Sequence, residues 1–127
     1  MFSKIHHVAI ICSNYEKSKY FYNKVLGLPI IREIHRASRD SFKLDLQLAD
    51  GGQIELFSFP NAPQRVSYPE ACGLRHLSFC VDNIVKTVKY LENNNVKCEE
   101  IRIDEYTQKT FTFFSDPDGL PLELYEK

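Results

Sequence analysis

Two histidines and two glutamates recur along the chain at matching distances. Glu55 stands 48 positions after His7 (55 − 7), and Glu123 stands 47 positions after His76 (123 − 76). Each glutamate lies inside an apolar run, Ile-Glu-Leu-Phe in the first half and Leu-Glu-Leu-Tyr in the second. A buried carboxylate or imidazolium is costly on its own, and a bound cation offsets that cost. We therefore predict that His7, Glu55, His76 and Glu123 surround one divalent metal ion.

The donor set of this predicted site indicates which metal ions it would bind and what role the ion would have. Two nitrogen and two oxygen donors suit a borderline divalent ion, with Zn²⁺ or Ni²⁺ preferred and Co²⁺, Mn²⁺ or Fe²⁺ as alternatives. Four protein ligands leave room for water or substrate when the coordination number rises above four. A site with such an open position is typical of catalysis rather than of a structural metal.

The elements that must position these residues repeat in order. Periodicity in the first half predicts a strand, then a helix opened by an S-x-x-E capping box at Ser13, then three strands. The predicted strands and the helical stripe cover residues 6–12, 18–26, 29–35, 41–48 and 53–59. His6 is expected on the strand face opposite His7, because neighbouring strand residues alternate. The first half therefore reads β-α-β-β-β.

The second half repeats this order, with strands at residues 75–81, 96–103, 110–114 and 121–125 and a helix from Ile84 capped by Asp82. Asp50-Gly51-Gly52 and Asp116-Pro117-Asp118-Gly119 predict tight turns before the last strand of each half. The fold class is α+β: a single domain of two tandem βαβββ modules, 4–59 and 74–127, joined by a proline-rich linker at 60–73.

The charge balance and the cysteines bear on the partners and the compartment that we expect for this chain. Sixteen basic and seventeen acidic residues nearly cancel, so charge favours neither a nucleic acid nor a membrane partner. The four cysteines, Cys12, Cys72, Cys80 and Cys98, form no C-x-x-C pair and are expected to be reduced thiols of a cytoplasmic protein.

The motifs, taken together, resemble those of the vicinal oxygen chelate superfamily, which includes glyoxalases, bleomycin-resistance proteins and dioxygenases. They are I-H-H-V-A-I, S-K-Y-F-Y-N-K-V-L-G-L, Q-I-E-L-F, L-R-H-L-S-F-C-V-D, F-S-D-P-D-G and the ending L-E-L-Y-E. The resemblance spans nearly the whole chain. It implies paired βαβββ modules, each with a mixed sheet that curls, and a metal site in the cup. A His-Glu-His-Glu ligand set is most similar to that of bacterial glyoxalase I-like proteins.

This resemblance implies a lyase or isomerase that acts on a small α-oxo or hemithioacetal substrate. The implied metal ligands are His7, Glu55, His76 and Glu123, and the metal would stabilise an enediolate as it forms. Glu123, with Glu55 as its counterpart, would move the proton between adjacent carbons.

Two positions depart from the glutathione-using pattern. Those members place Arg four residues after the first ligand and Asn four residues after the second, whereas this chain has Ile11 and Phe59. This chain therefore lacks the two residues that would hold the carboxylates of glutathione, and the use of glutathione or another thiol stays open. Arg32, Arg102 and Lys109, together with Lys43, are candidates to contact an anionic group of the substrate.

Other functions stay open at this stage. The chain could be an epimerase or a thiol transferase of the same superfamily, although Glu55 argues against both. It could instead be a binding protein of the resistance type that sequesters its ligand without catalysis. A homodimer is expected for so short a chain. The metal site could lie within one chain or be shared across the dimer.

Overall fold

The computed structural model describes all of residues 1–127 and contains the predicted tandem modules. The first module comprises β1 (His7–Cys12), α1 (Tyr15–Lys19) continuing as a π-helical turn (Tyr20–Val25), β2 (Ile30–Arg36), a short 3₁₀ turn (Ala37–Arg39), β3 (Ser41–Gln47) and β4 (Gln53–Ser58). The second comprises β5 (Leu77–Val81), α2 (Ile84–Asn93), β6 (Arg102–Ile103), β7 (Thr110–Ser115) and β8 (Pro121–Glu126). The prediction of two βαβββ modules with mixed sheets is confirmed.

The two modules have the same sheet topology. The strand order is β1-β4-β3-β2 in one and β5-β8-β7-β6 in the other. In each sheet the first and last strands of the module pair in parallel, and the remaining pairs are antiparallel. The chain divides into two compact units, 1–64 and 65–127. This topology brings β1, which begins at His7, beside β4 with Glu55, and β5, which begins one residue after His76, beside β8 with Glu123.

One face of each sheet, its back face, carries the hydrophobic core beneath the helix. In the first module Leu44, Leu46 and Leu56 are fully buried, as is Tyr22 of the π-helical turn. In the second, Leu122 and Leu91 of α2 are at most 2% exposed. Burial of one such side chain contributes about 1.5–3 kcal/mol. The opposite face of each sheet, its front face, carries the histidine and glutamate.

The helix N-caps differ from the predicted ones by one residue. Asn14, and not Ser13, accepts the backbone N–H of Lys17 at 3.1 Å, and Asn83, and not Asp82, accepts that of Lys86 at 3.0 Å. Both Asn residues have the extended backbone of an N-cap, and this places the amide oxygen at the free N–H groups. Each stands seven positions after its module's histidine (14 − 7; 83 − 76), so the caps are a further landmark of the repeat.

The segment predicted as a strand at 96–103 is shorter than expected. Only Arg102–Ile103 pairs with β7 as a strand. The Thr112 hydroxyl donates to the carbonyl oxygens of Glu99, at 2.8 Å, and Glu100, at 3.3 Å. These carbonyl groups are therefore satisfied by a side chain, and regular ladder pairing begins only at Arg102.

Both predicted turns are present. Gly51 and Gly119 have positive φ angles of 86° and 80°, which glycine adopts without steric cost. The Asp50 carboxylate accepts the Gly52 N–H at 2.8 Å, and the Asp116 carboxylate accepts two N–H groups at 2.9 Å. These turns set the register of β4 and β8, which carry the two glutamates. No helix in the chain is both long enough and apolar enough to cross a membrane.

Candidate metal centre

The first module brings His7 and Glu55 into contact. β1 and β4 run in parallel with His7 beside Gln53 and Ala9 beside Glu55, so the two side chains are diagonal neighbours on the front face. His7 Nε2 lies 3.5 Å from Glu55 Oε2. The Glu55 side chain is 15% exposed and that of His7 is 43% exposed. The carboxylate is thus largely withdrawn from water while the imidazole remains accessible.

The second module builds the same pair from its own strands. Leu77 lies beside Leu122 and Ser78 beside Glu123, which leaves His76 diagonal to the glutamate. His76 Nε2 lies 3.2 Å from Glu123 Oε2. The exposed fractions of the side chains, 34% for the histidine and 13% for the glutamate, are similar to those in the first module. The structure therefore forms one His–Glu pair in each module from the four residues predicted to surround one metal ion.

The geometry of each pair is compatible with one shared cation. Bonds of about 2.0–2.2 Å place two ligand atoms of one ion roughly 2.9 Å apart at a right angle and roughly 3.4 Å apart at a tetrahedral angle. The separations of 3.5 and 3.2 Å are close to these values. No group of three or more His, Cys, Asp or Glu side chains is assembled to hold a metal. Each pair thus supplies one nitrogen and one oxygen donor, half of the predicted ligand set.

Charged residues surround the pair in the first module. Lys43 Nζ lies 2.9 Å from Asp45 Oδ1 and 3.7 Å from Glu55 Oε1. Asp45, directly opposite Glu55 in the β3–β4 register, is 3% exposed and also contacts Arg32 Nε at 3.0 Å. The Lys43 ammonium therefore lies between two carboxylates and restrains the position of Glu55.

Aromatic residues occupy the corresponding positions in the second module. Phe113 lies opposite Glu123, where the first module has Asp45, and Phe111 replaces Lys43. The His76 ring meets Phe113 edge to face, with centroids 5.1 Å apart. Glu123 has no lysine or arginine partner, and its one ion-pair neighbour is His76. The two glutamates therefore differ sharply in their surroundings despite their equivalent backbone positions.

Two predicted substrate contacts, Arg32 and Arg102, are already paired with carboxylates. Arg32 pairs with Asp45 at 3.0 Å, and Arg102 pairs with Glu99 at 3.1 Å. The Arg102 guanidinium also lies over the Phe111 and Phe113 rings, 5.1 and 5.8 Å from their centroids. Both arginines are on the front faces of their sheets.

Lys109, the third predicted contact, is exposed in the turn that precedes β7. Tyr125 fixes this turn by donating to Asp104 Oδ2 at 2.9 Å and by contacting the Thr107 hydroxyl. Hydrogen bonds from the Tyr106 backbone N–H and the Tyr125 hydroxyl lower the pKa of Asp104 and so favour its anionic form. The turn is therefore anchored to β8 two residues beyond Glu123.

His6 does not point away from His7 as the strand alternation predicts. Their Nδ1 atoms lie 2.9 Å apart and their rings meet edge to face. The prediction fails because β1 begins at His7, so His6 precedes the regular strand. Its carbonyl oxygen accepts the Gln53 N–H at 3.1 Å, which ties its backbone to β4.

Arg36 and Arg39 were not predicted from the sequence as candidate site residues. The Arg36 guanidinium lies 5.6 Å from the centroid of Phe57, and that of Arg39 lies 5.2 Å from the centroid of Phe59. Arg36 has the same strand parity as Arg32, which is a signal that the sequence did contain. Arg39 lies in the 3₁₀ turn, where strand parity does not apply.

The family model of the Glyoxalase/Bleomycin resistance protein/Dioxygenase superfamily matches residues 4–124. The chain belongs to this superfamily. Members of the glyoxalase superfamily commonly use a divalent metal, and the paired donors described above are chemically suited to one.

Similar proteins extend over almost the whole chain. The uncharacterized protein YaeR of Escherichia coli K12 is 60% identical over 124 residues, which are 98% of this chain and 96% of YaeR. The crystal structure of a glyoxalase family protein from Enterococcus faecalis superposes with a TM-score of 0.92 at 48% identity and covers 98% of both chains. Glyoxylase I 4 of Arabidopsis thaliana is 28% identical over 125 residues, 96% of this chain and 70% of that protein.

Proposed function

We propose that this protein is a divalent-metal-dependent lyase or isomerase of the glyoxalase I type. Its substrate would be a small α-oxo compound or a hemithioacetal. The observation that carries the proposal is the duplicated His–Glu pair, whose 3.5 and 3.2 Å separations suit two ligands of one ion. The similarity to the plant protein named Glyoxylase I 4 is consistent with it.

His7, Glu55, His76 and Glu123 would together hold one ion, with Zn²⁺ or Ni²⁺ preferred on the donor set. When bound, such an ion polarises neighbouring substrate oxygens and stabilises the negative charge that develops on them. Each module supplies only two donors, so the full site requires one pair from each kind of module. Those two pairs could come from one chain or from two chains of a homodimer.

The two glutamates would have different tasks. Glu55 is restrained by the Lys43 ammonium at 3.7 Å, which favours a fixed ligand. Glu123 has His76 and aromatic neighbours only, so its carboxylate is freer to move toward substrate. We therefore assign Glu123 as the base that removes the proton beside the carbonyl group and returns it to the adjacent carbon.

Turnover of metal-reconstituted protein tests the reaction. Metal-free protein would be loaded with Zn²⁺, Ni²⁺, Co²⁺ or Mn²⁺ and assayed with hemithioacetals of methylglyoxal and several low-molecular-weight thiols, including glutathione. Product formation should require metal and should fall about 10²- to 10⁴-fold in Glu123→Gln. Glu105→Gln removes an exposed carboxylate from the Asp104–Lys109 turn and should be silent. Absence of turnover across all thiols and metals, with metal demonstrably bound, would reject the proposal.

A complementation experiment distinguishes the two arrangements of the site. One variant would lack the first pair, His7→Ala with Glu55→Gln, and the other would lack the second, His76→Ala with Glu123→Gln. In a shared site, the mixed dimer contains one intact set of four ligands, so mixing should restore metal binding. In a site within one chain, every chain lacks two ligands and mixing restores nothing.

We also propose that the protein works in the cytoplasm. No disulfide joins the four cysteines, and Cys72 and Cys80 are exposed, which suits a reducing compartment. Fractionation of cells that express the native protein, followed by immunodetection, tests this assignment.

A further inference from the structure

The front face of the first module carries an unneutralised pair of arginines beside the proposed metal centre. Phe57 and Phe59 follow Glu55 by two and four positions, and their rings stack in parallel with centroids 5.9 Å apart. Arg36 lies over Phe57, and Arg39 lies over Phe59. We call these four residues the arginine–phenylalanine patch.

The charge state of the patch distinguishes it from other cations on the same face. Arg32 and Lys43 both contact Asp45, and Lys43 also approaches Glu55. In contrast, neither Arg36 nor Arg39 has a carboxylate partner. Two guanidinium groups that lie over neighbouring stacked rings and lack a counter-charge favour the binding of an anion.

Contact with an aromatic ring holds each guanidinium group in an orientation suited to binding an oxyanion. A guanidinium stacked on a ring keeps its edge N–H groups free, and those groups match the two oxygens of a carboxylate or phosphoryl group. The contact with the ring also reduces the side-chain motion that would be lost on binding. The half-buried Phe57 and Phe59 rings additionally offer apolar surface to the part of a ligand that precedes its anionic group.

We propose that the arginine–phenylalanine patch binds an oxyanion group of the substrate, a carboxylate or a phosphoryl group. This proposal deepens the proposed function, because Glu55 marks the reacting end. A strand rises about 3.3 Å per residue, so the patch begins roughly 7 Å from Glu55 and extends to roughly 13 Å. The substrate would therefore carry its anionic group at about that distance from its reacting oxygens. The anion contact is thus assigned to Arg36 and Arg39, and not to the carboxylate-paired Arg32 and Arg102.

Anion titration of metal-free protein tests the patch without the reaction. Inorganic phosphate and succinate would be titrated while backbone amide shifts are followed by NMR, with neutral succinamide as the uncharged control. Wild type should bind at least one of the two anions saturably, with shifts centred on residues 36–39 and 57–59, and should not respond to succinamide. The stronger of the two responses would identify the phosphoryl or the carboxylate class.

Matched variants make the test specific. Arg36→Gln with Arg39→Gln should weaken anion binding at least tenfold, and Arg36→Lys with Arg39→Lys should give an intermediate loss because the fork geometry is lost while charge remains. Lys86→Gln with Lys89→Gln removes two exposed charges from α2 and should leave binding within twofold of wild type. No saturable binding by wild type, equal binding by the glutamine variant, or an equal loss in the α2 control would overturn the proposal.

The outcomes separate this inference from the proposed reaction. Glu123→Gln should reduce turnover about 10²- to 10⁴-fold and leave phosphate or succinate binding intact. Anion binding without any turnover would retain the patch and reject the lyase or isomerase reaction. Turnover that is unchanged in the Arg36→Gln, Arg39→Gln variant for anionic and neutral substrates alike would reject the patch and retain the reaction.

Discussion

His6 Nδ1 lies 2.9 Å from His7 Nδ1, while the other ring nitrogen of His7 faces Glu55 at 3.5 Å. A hydrogen bond between the two Nδ1 atoms requires that one carries the proton and the other accepts it. If His7 donates, its Nε2 lone pair is directed toward the carboxylate, where a metal would bind. The second module has no counterpart, since Arg75 precedes His76 and its guanidinium lies 5.6 Å from the Tyr68 ring centroid.

Replacing His6 by Phe should weaken Zn²⁺ binding about 10- to 100-fold, because the partner that orients the His7 ring is removed. A competing chelator dye measures the affinity, and ¹⁵N spectra of the imidazoles in metal-free protein report the His7 tautomer. His35→Phe is the control, since His35 stacks on Phe42 and contacts neither pair. Unchanged affinity with an unchanged tautomer in His6→Phe would contradict this role.

Replacing Asp45 by Asn should destabilise metal-free protein by about 1–3 kcal/mol. Asp45 is 3% exposed, and its loss of charge leaves Lys43 and Arg32 without their carboxylate partner. Urea unfolding at neutral pH measures the change. Asp40→Asn, in an exposed turn, should stay within about 0.5 kcal/mol of wild type. A double-mutant cycle that combines Asp45→Asn with Lys43→Gln should show positive coupling between the two substitutions. Strictly additive losses of stability would indicate that the Asp45–Lys43 ion pair contributes nothing specific.

The ionised Glu33 carboxylate should stabilise the fold, and this contribution should be lost as the pH falls. Hydrogen bonds from Lys19, at 2.7 Å, and from the Tyr15 hydroxyl lower the pKa of Glu33 below its usual range. A lowered folded-state pKa stabilises the protein above the unfolded-state pKa of about 4.3, and this contribution disappears as the pH falls through the folded value.

Glu33→Gln should therefore reduce stability at pH 7 and approach wild type near pH 3. Urea midpoints at both pH values test this, with Glu70→Gln as an exposed control. A Glu33→Gln deficit that persists unchanged at pH 3 would show that the effect is not electrostatic.

The two glutamate variants should differ in turnover. Glu123→Gln removes the proposed base and should reduce kcat about 10²- to 10⁴-fold. Glu55→Gln keeps an oxygen donor beside Lys43, so its larger effect should be on metal affinity. Incorporation of deuterium from solvent into product follows proton transfer in both variants. Full activity in Glu55→Gln would favour an epimerase or thiol transferase over the proposed lyase or isomerase.

The sequence alone determined the module order and the residues that carry the candidate chemistry. The nearly equal His-to-Glu spacings, the turns at Asp50-Gly51-Gly52 and Asp116–Gly119, and the two-residue alternation of strands are local or periodic properties, which sequence records directly. These properties predict the tandem βαβββ modules and identify His7, Glu55, His76 and Glu123 as the candidate site residues. The superfamily resemblance stated from the motifs is confirmed by the match over residues 4–124.

Only the tertiary structure decided which side chains surround those pairs. Lys43 lies between Asp45 and Glu55 because the β3–β4 register aligns them, and Phe113 takes the corresponding place in the second sheet. His6 contacts His7 because the regular strand begins one residue later than the apolar pattern suggests. Register and element ends depend on cross-strand contacts between distant parts of the chain, and a single sequence does not encode these as a period.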